Sequence, residues 1–248
     1  GSVLAQISGL FLSIIIFFNH FKTLNFISFE LKKIINLNGF LNLFSISKNL
    51  FVRTMLLVSV QAYLIKKSGL IGVDQLATME ILIVIFGLSS YTLDAFAHAA
   101  ESTVGVSIGS KNKKNIYKSI KNTTEFALTF SVLIGIVLYI TDYYIINLFT
   151  DIPVLQDLTI DLWSLVIITP FISMLAFQLD GIFIGATLAK EMRNSMILSS
   201  LIFYVIIEFI IQDTLNLKNL YSCFLLFLIL RGVFLTFYLP RVFKLIKN

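Results

Sequence analysis

Acidic and basic side chains are scarce in this sequence, and several stand where they can do chemistry. Asp94, His98 and Glu101 occupy i, i+4 and i+7 of one long apolar stretch. That spacing lines them along one helical face within about 10 Å of rise. Such a row can relay protons, because an imidazole titrates near neutrality and a carboxylate withdrawn from water takes up a proton more readily. A plainer role is also open, in which the three only seal helix contacts by hydrogen bonds. Asp180 is the best single candidate, set in Ala176-Phe177-Gln178-Leu179-Asp180-Gly181-Ile182-Phe183-Ile184-Gly185. An ionisable group near the centre of a bilayer costs roughly 2.5–3.5 kcal/mol, so one that is present there is a candidate for function. Around it, Gly181 and Gly185 form a small-xxx-small pair that permits close helix approach, although this pattern marks packing more often than substrate handling. Pro170 removes a helical hydrogen bond and bends the same segment. Arg53 and Arg231 are possible ion-pair partners: Arg53 is placed to snorkel to the membrane surface, and Arg231 to meet a carboxylate inside the bundle. Glu80, Glu125 and Glu208 lie nearer the ends of apolar runs and are expected to be solvated.

The elements that carry these residues follow from composition. Of 248 residues, 57% are apolar and only 13% charged, and the mean hydropathy is +0.91. A soluble domain has about a quarter of its residues charged. The chain is therefore expected to be an all-α polytopic membrane protein, not a soluble enzyme, a nucleic-acid binder or a disordered segment. Crossing about 30 Å of hydrocarbon takes about 20 apolar residues in a helix, the form that satisfies its own backbone. Seven segments meet that requirement: Ser2–Phe18, Leu50–Ile65, Leu76–Ile108, Phe126–Leu148, Ile160–Leu188, Ser195–Ile211 and Leu220–Leu239. Trp163, Tyr143, Tyr144 and Tyr221 suit interfacial belts. A single cysteine, Cys223, can form no internal disulfide. No Walker loop, dinucleotide fingerprint, HExxH or nucleophile elbow appears, and neither enzyme activity, a metal site nor a cofactor is expected.

Basic residues fix an orientation. Fifteen of them, from Lys22, Lys32 and Lys33 through Lys111, Lys113 and Lys114 to Arg241, Lys244 and Lys247, fall on one side of the expected spans; Lys66, Lys67 and Lys218 fall on the other. The positive-inside rule puts the first set, and the C-terminus, in the cytoplasm. Asn19–Ser47 becomes a long cytoplasmic connection whose Phe29–Ile35 stretch can lie in the interface as an amphipathic helix. The sequence opens at Gly1 within an apolar helix, so an upstream portion is expected to precede it.

Two stretches carry more than composition. The run Ser89-Ser90-Tyr91-Thr92-Leu93-Asp94-Ala95-Phe96-Ala97-His98-Ala99-Ala100-Glu101-Ser102-Thr103-Val104-Gly105, followed by Ile108-Gly109-Ser110, resembles a helix signature of the multidrug and toxic compound extrusion (MATE) family in its DinF-like branch. The second, Leu179 to Thr187 continuing through Lys190-Glu191-Met192-Arg193-Asn194-Ser195-Met196, resembles the tenth helix and following cytoplasmic loop of that branch, with weaker support from Phe51-Val52-Arg53-Thr54. One departure is Ala95, where the branch usually has glycine. The resemblance implies that residues 1–18 are the last helix of an N-terminal lobe, 19–47 an inter-lobe connection and 48–248 the C-terminal six-helix lobe of a twelve-helix transporter. It implies secondary active antiport, exporting organic cations or other toxic compounds in exchange for H+ or Na+, from a bacterial cytoplasmic (inner) membrane. Asp180 then matches an acidic position tied to cation coupling, and Asp94 and Glu101 match the acidic residues of the eighth helix. The implied partners are the lipid bilayer, small hydrophobic or cationic substrates and the N-terminal lobe, with no nucleic acid. Two alternatives stand beside this: a lipid-linked oligosaccharide flippase or polysaccharide exporter of related architecture, which a cavity dominated by arginines would favour and the few intramembrane arginines here disfavour, and a membrane remnant that transports nothing.

Overall fold

The computed structural model describes residues 2–21 and 37–245. No strand occurs among them. In chain order the helices are α1 (Ser2–Phe21), α2 (Leu37–Ile71), α3 (Val73–Gly109), α4 (Lys113–Ile140), the short α5 (Asp142–Phe149), α6 (Pro153–Gly185), α7 (Ala189–Val205) and α8 (Leu217–Lys244). A π-helical turn, Ile206–Ile210, prolongs α7, and a 3-10 turn, Gln212–Thr214, follows it. Contacts divide the chain into two compact units, Gly1–Phe44 and Ser45–Asn248; the bundle and the site described below belong to the second.

Six of the described helices are long and apolar enough to cross a membrane; where the sequence predicts a span over Ser2–Phe18, a shorter apolar helix, Val3–Asn19, forms. Leu37–Ser47, placed in the connection expected over 19–47, forms the first turns of α2. Phe29–Ile35, expected as an interfacial helix, lies outside the described residues. The span expected over Phe126–Leu148 is broken at Thr141, whose hydroxyl donates to the Val137 carbonyl at 2.7 Å and closes α4. The Asp142 carboxylate then accepts from the Tyr143 amide at 2.6 Å and opens α5. Two side chains that bond locally to backbone thus outweigh an apolar run.

Helix starts and stops follow ordinary end chemistry. Asn112 and Asn216 cap α4 and α8, their side chains accepting from the Asn115 and Asn219 amides at 3.1 and 2.8 Å. Such caps satisfy amides that the first turn leaves free. Pro153 opens α6, where its missing N–H does no harm. The tight turns joining α3 to α4 and α6 to α7 each pass through a left-handed residue, Lys111 (φ 52°) and Thr187 (φ 58°).

Helix α6 is the centre of the bundle. Every residue from Ala176 to Phe183 is buried, as expected of a helix surrounded on all sides. Aromatic side chains fill the core toward one end, where the Phe86 ring meets Phe224 edge-to-face at 5.0 Å and Phe203 meets Phe227 at 5.8 Å. A second core cluster gathers Ala100, Val104, Ile116, Ile182, Phe183 and Leu235 toward the other end. Outward-facing surfaces are apolar instead of charged: Phe126, Val137, Tyr139, Ile140, Phe209 and Phe237 are all exposed. A bilayer is the solvent that such a surface requires.

Candidate functional site

The seam between α3 and α6 positions the site. A Cβ at Gly181 would intrude on the Ala97 carbonyl, 2.6 Å from its carbon, and one at Gly185 would meet the Glu101 backbone, 3.0 Å from its Cα. Ala97 and Glu101 are four residues apart, as are Gly181 and Gly185, and the pairs advance together. The two helices therefore run parallel with their backbones in contact over one turn, a packing that only small residues permit. Gly105 continues the seam, its own Cβ position lying 3.5 Å from the Gly185 carbonyl oxygen. Gly232 of α8 also packs close to α6: a Cβ there would lie 3.3 Å from the Ala176 amide nitrogen. Asp180, one residue before Gly181, is thereby held among α2, α3, α6 and α8.

Its carboxylate does not stand free. Both Arg53 from α2 and Arg231 from α8 donate through Nη2 to the same oxygen, Asp180 Oδ2. Sequence separations of 127 and 51 residues lie behind these bonds. The Arg231 side chain is 1% exposed, Asp180 8% and Arg53 18%. Arg53, expected to snorkel to the surface, turns inward instead, because a desolvated carboxylate attracts it more than a distant headgroup layer. The Arg231 guanidinium also lies over the Phe177 ring, 5.5 Å from its centroid, a favourable placement for a cation. Three of the guanidinium nitrogens, Arg53 Nε, Arg231 Nε and Arg231 Nη1, are buried and have no hydrogen-bond partner.

Asp94 lies half-buried on α3, where it feels the charges of His98, Asp180, Arg231 and Arg53. Among the described residues it forms no hydrogen bond or ion pair. The other two members of the expected row turn outward: His98 is 76% exposed and Glu101 37%, with Nδ1 and Oε2 3.3 Å apart. The helix thus brings His98 and Glu101 together as a pair, while Asp94 stands within electrostatic range of Asp180. Pro170 is buried in the unbroken run of α6, and the adjacent Thr169 hydroxyl donates to the Leu165 carbonyl at 2.7 Å.

Several polar contacts escaped the sequence reading. Glu208, expected to be solvated, accepts from Lys67 Nζ (3.0 Å) and from the Tyr63 hydroxyl. Together with Ser59 to Tyr204 (2.8 Å) and Arg193 to Asn49 (2.8 Å), these bonds form a ladder that ties α2 to α7 along its length. A glutamate flanked by Ile207 and Phe209 was the available signal. Gln178 donates through Nε2 to Thr123 Oγ1 at 2.7 Å, and Thr123 borders a polar cleft of about 400 Å³ that Ser102, Ser107, Lys118 and Ser119 also line. Trp163 and Tyr221, read as interfacial, are buried: the indole N–H donates to the Leu138 carbonyl at 3.0 Å, and the phenol meets the Thr169 hydroxyl at 3.0 Å. No group of three His, Cys, Asp or Glu residues that could hold a metal occurs among the described residues.

Comparison with known proteins agrees with this architecture. Over 170 residues the chain is 28% identical to DNA damage-inducible protein F of Escherichia coli (strain K12), an alignment covering 68% of this chain and 37% of the relative. Its fold matches that of the eukaryotic MATE transporter AtDTX14 with a TM-score of 0.76, across 86% of this chain and 50% of the other, at 12% sequence identity. The chain therefore spans about half or less of the length of the proteins it resembles. The profile described as MatE matches residues 50–210, well over half of the sequence. With parallel small-residue helices around a buried carboxylate and this match across its core, the chain belongs to the MatE family of integral membrane proteins.

Proposed function

We propose that this chain is the C-terminal lobe, residues 48–248, of a secondary active antiporter that exports organic cations or other toxic compounds in exchange for H+ or Na+. Residues 1–18 then end an N-terminal lobe, residues 19–47 join the two, and alternating access arises as the lobes rock about a site between them. Its membrane is the bacterial cytoplasmic membrane, with the C-terminus inside, as the distribution of lysine and arginine favours.

The observation that carries this reading is the division of labour between two carboxylates on adjacent helices. Asp180 is occupied by Arg53 and Arg231 and acts as the latch that holds α2, α6 and α8 together. Asp94 has no such partner and lies within the field of the same cluster. It is the carboxylate open to an incoming proton, sodium ion or cationic substrate, and an unpaired acid among apolar helices is otherwise a net expense with no return. The exposed pair His98 and Glu101 lies one and two turns beyond it on α3 and supplies the approach.

The test is efflux of a cationic dye from proteoliposomes containing the chain together with its N-terminal lobe. An imposed pH or sodium gradient is expected to drive efflux in the wild type and to lose its effect in Asp94→Asn. Gradient-driven efflux that survives Asp94→Asn would remove Asp94 from the coupling role.

A further inference from the structure

The cluster around Asp180 is out of balance. Two guanidinium groups share a single carboxylate oxygen, and the second acid within their field, Asp94, bonds to neither. Three buried N–H donors are left without an acceptor: Nε of Arg53 and both Nε and Nη1 of Arg231. Charged donors withdrawn from water are strongly unfavourable unless an acceptor meets them. Asp94 offsets the charge at a distance but makes no hydrogen bond to either arginine.

Planar guanidinium edges select their ligands. Their paired, coplanar donors match the two oxygens of a carboxylate or a phosphate far better than they match a spherical halide. We infer that the Arg53–Arg231 pair is a binding site for an oxyanion, the carboxylate or phosphate group of an amphiphilic molecule. Arg53, the more exposed of the two, is the side of entry, and Phe177 beneath the Arg231 guanidinium offers an apolar wall for the rest of the ligand. The inference deepens the transport reading and rests on it for the route by which such a group reaches the cluster. The carried compounds then include ones with an acidic group, their anion on the arginines and any cationic part directed to Asp94.

The test uses the purified 248-residue chain in neutral detergent, with benzoate and inorganic phosphate as probes against chloride at equal ionic strength. Saturable binding of benzoate or phosphate by calorimetry is expected, weakened at least tenfold in Arg53→Gln. That variant leaves Arg231 and Asp180 as a neutral pair, so it disturbs folding least. In Asp180→Asn, where the competing carboxylate is gone, affinity is expected to rise at least threefold. Benzoate and phosphate that do not bind, or that bind wild type and Arg53→Gln alike, would overturn the inference. Nanodiscs of phosphatidylglycerol and of phosphatidylcholine separate the two sources of the anion. If either lipid abolishes benzoate binding, the natural occupant is a lipid headgroup phosphate; if binding persists in both, it is a free solute. Loss of coupled efflux with oxyanion binding intact rejects the antiport reading alone, and the reverse result rejects the oxyanion site alone.

Discussion

Asp180 can be understood only with its two arginines. An ion pair taken out of water gains little over an apolar replacement, yet breaking it by removing one member exposes the full penalty of an unpaired buried charge, about 3–5 kcal/mol. Asp180→Ala should therefore lower unfolding stability in detergent by about 3–5 kcal/mol, and adding Arg231→Met should recover part of that loss. A denaturant titration of the single and double variants checks this; a double variant weaker than the single one would show that the arginine has another task. The sequence marked Asp180, Arg53 and Arg231 each as unusual, since charge in an apolar run is visible without a structure. A carboxylate partner for Arg231 was expected, but Arg53 joining it on Asp180 was not visible, because 127 residues separate Arg53 from Asp180 and no local periodicity links positions so far apart. Trp163 and Tyr221 misled for a related reason. Their amphipathic rings suit a membrane interface, but a buried acceptor, the Leu138 carbonyl or the Thr169 hydroxyl, satisfies the same polar tip.

At the scale of the helix, the α3–α6 seam determines whether Asp94 and Asp180 share one neighbourhood. Gly181→Ala places a methyl group against the Ala97 backbone, which cannot yield as a flexible side chain would. Overpacking of this kind costs about 1–3 kcal/mol or more, and the seam must open for the helices to fit. Gly87→Ala is the control, because a Cβ there meets nothing within 4 Å. In mid-helix it should raise stability by roughly 0.5–1 kcal/mol. Unfolding curves for both variants should move in opposite directions. Thr187 offers a gain at a turn: a β-branched residue at φ 58° is strained, and its side chain is exposed. Thr187→Gly is expected to stabilise the chain by about 1 kcal/mol, read as a higher thermal midpoint. The GxxxG pattern could be read from sequence, whereas its partner on α3 could not. The break at Thr141 was missed because an apolar count ignores hydroxyl groups that close a helix from within.

For the whole molecule, the surface is written in composition. Exposed phenylalanine, valine and isoleucine on the outer faces, with charge gathered at helix ends and in a few interior clusters, is the arrangement a bilayer imposes. Orientation belongs to this scale too. With Cys223 buried, a cysteine introduced by Lys113→Cys is a selective reporter. It should resist a membrane-impermeant maleimide added outside intact cells and react once the cells are opened; labelling from outside would reverse the topology. The division of roles we propose for the two aspartates also belongs to the whole, since only a complete transporter can exchange one ion for another compound. Its sharpest measurement is the flux of H+ or Na+ that added substrate provokes across proteoliposomes containing both lobes. Wild-type protein should move the ion against the substrate, and Asp94→Asn should move no ion. Equal ion flux through the two proteins would contradict the assignment of coupling to Asp94.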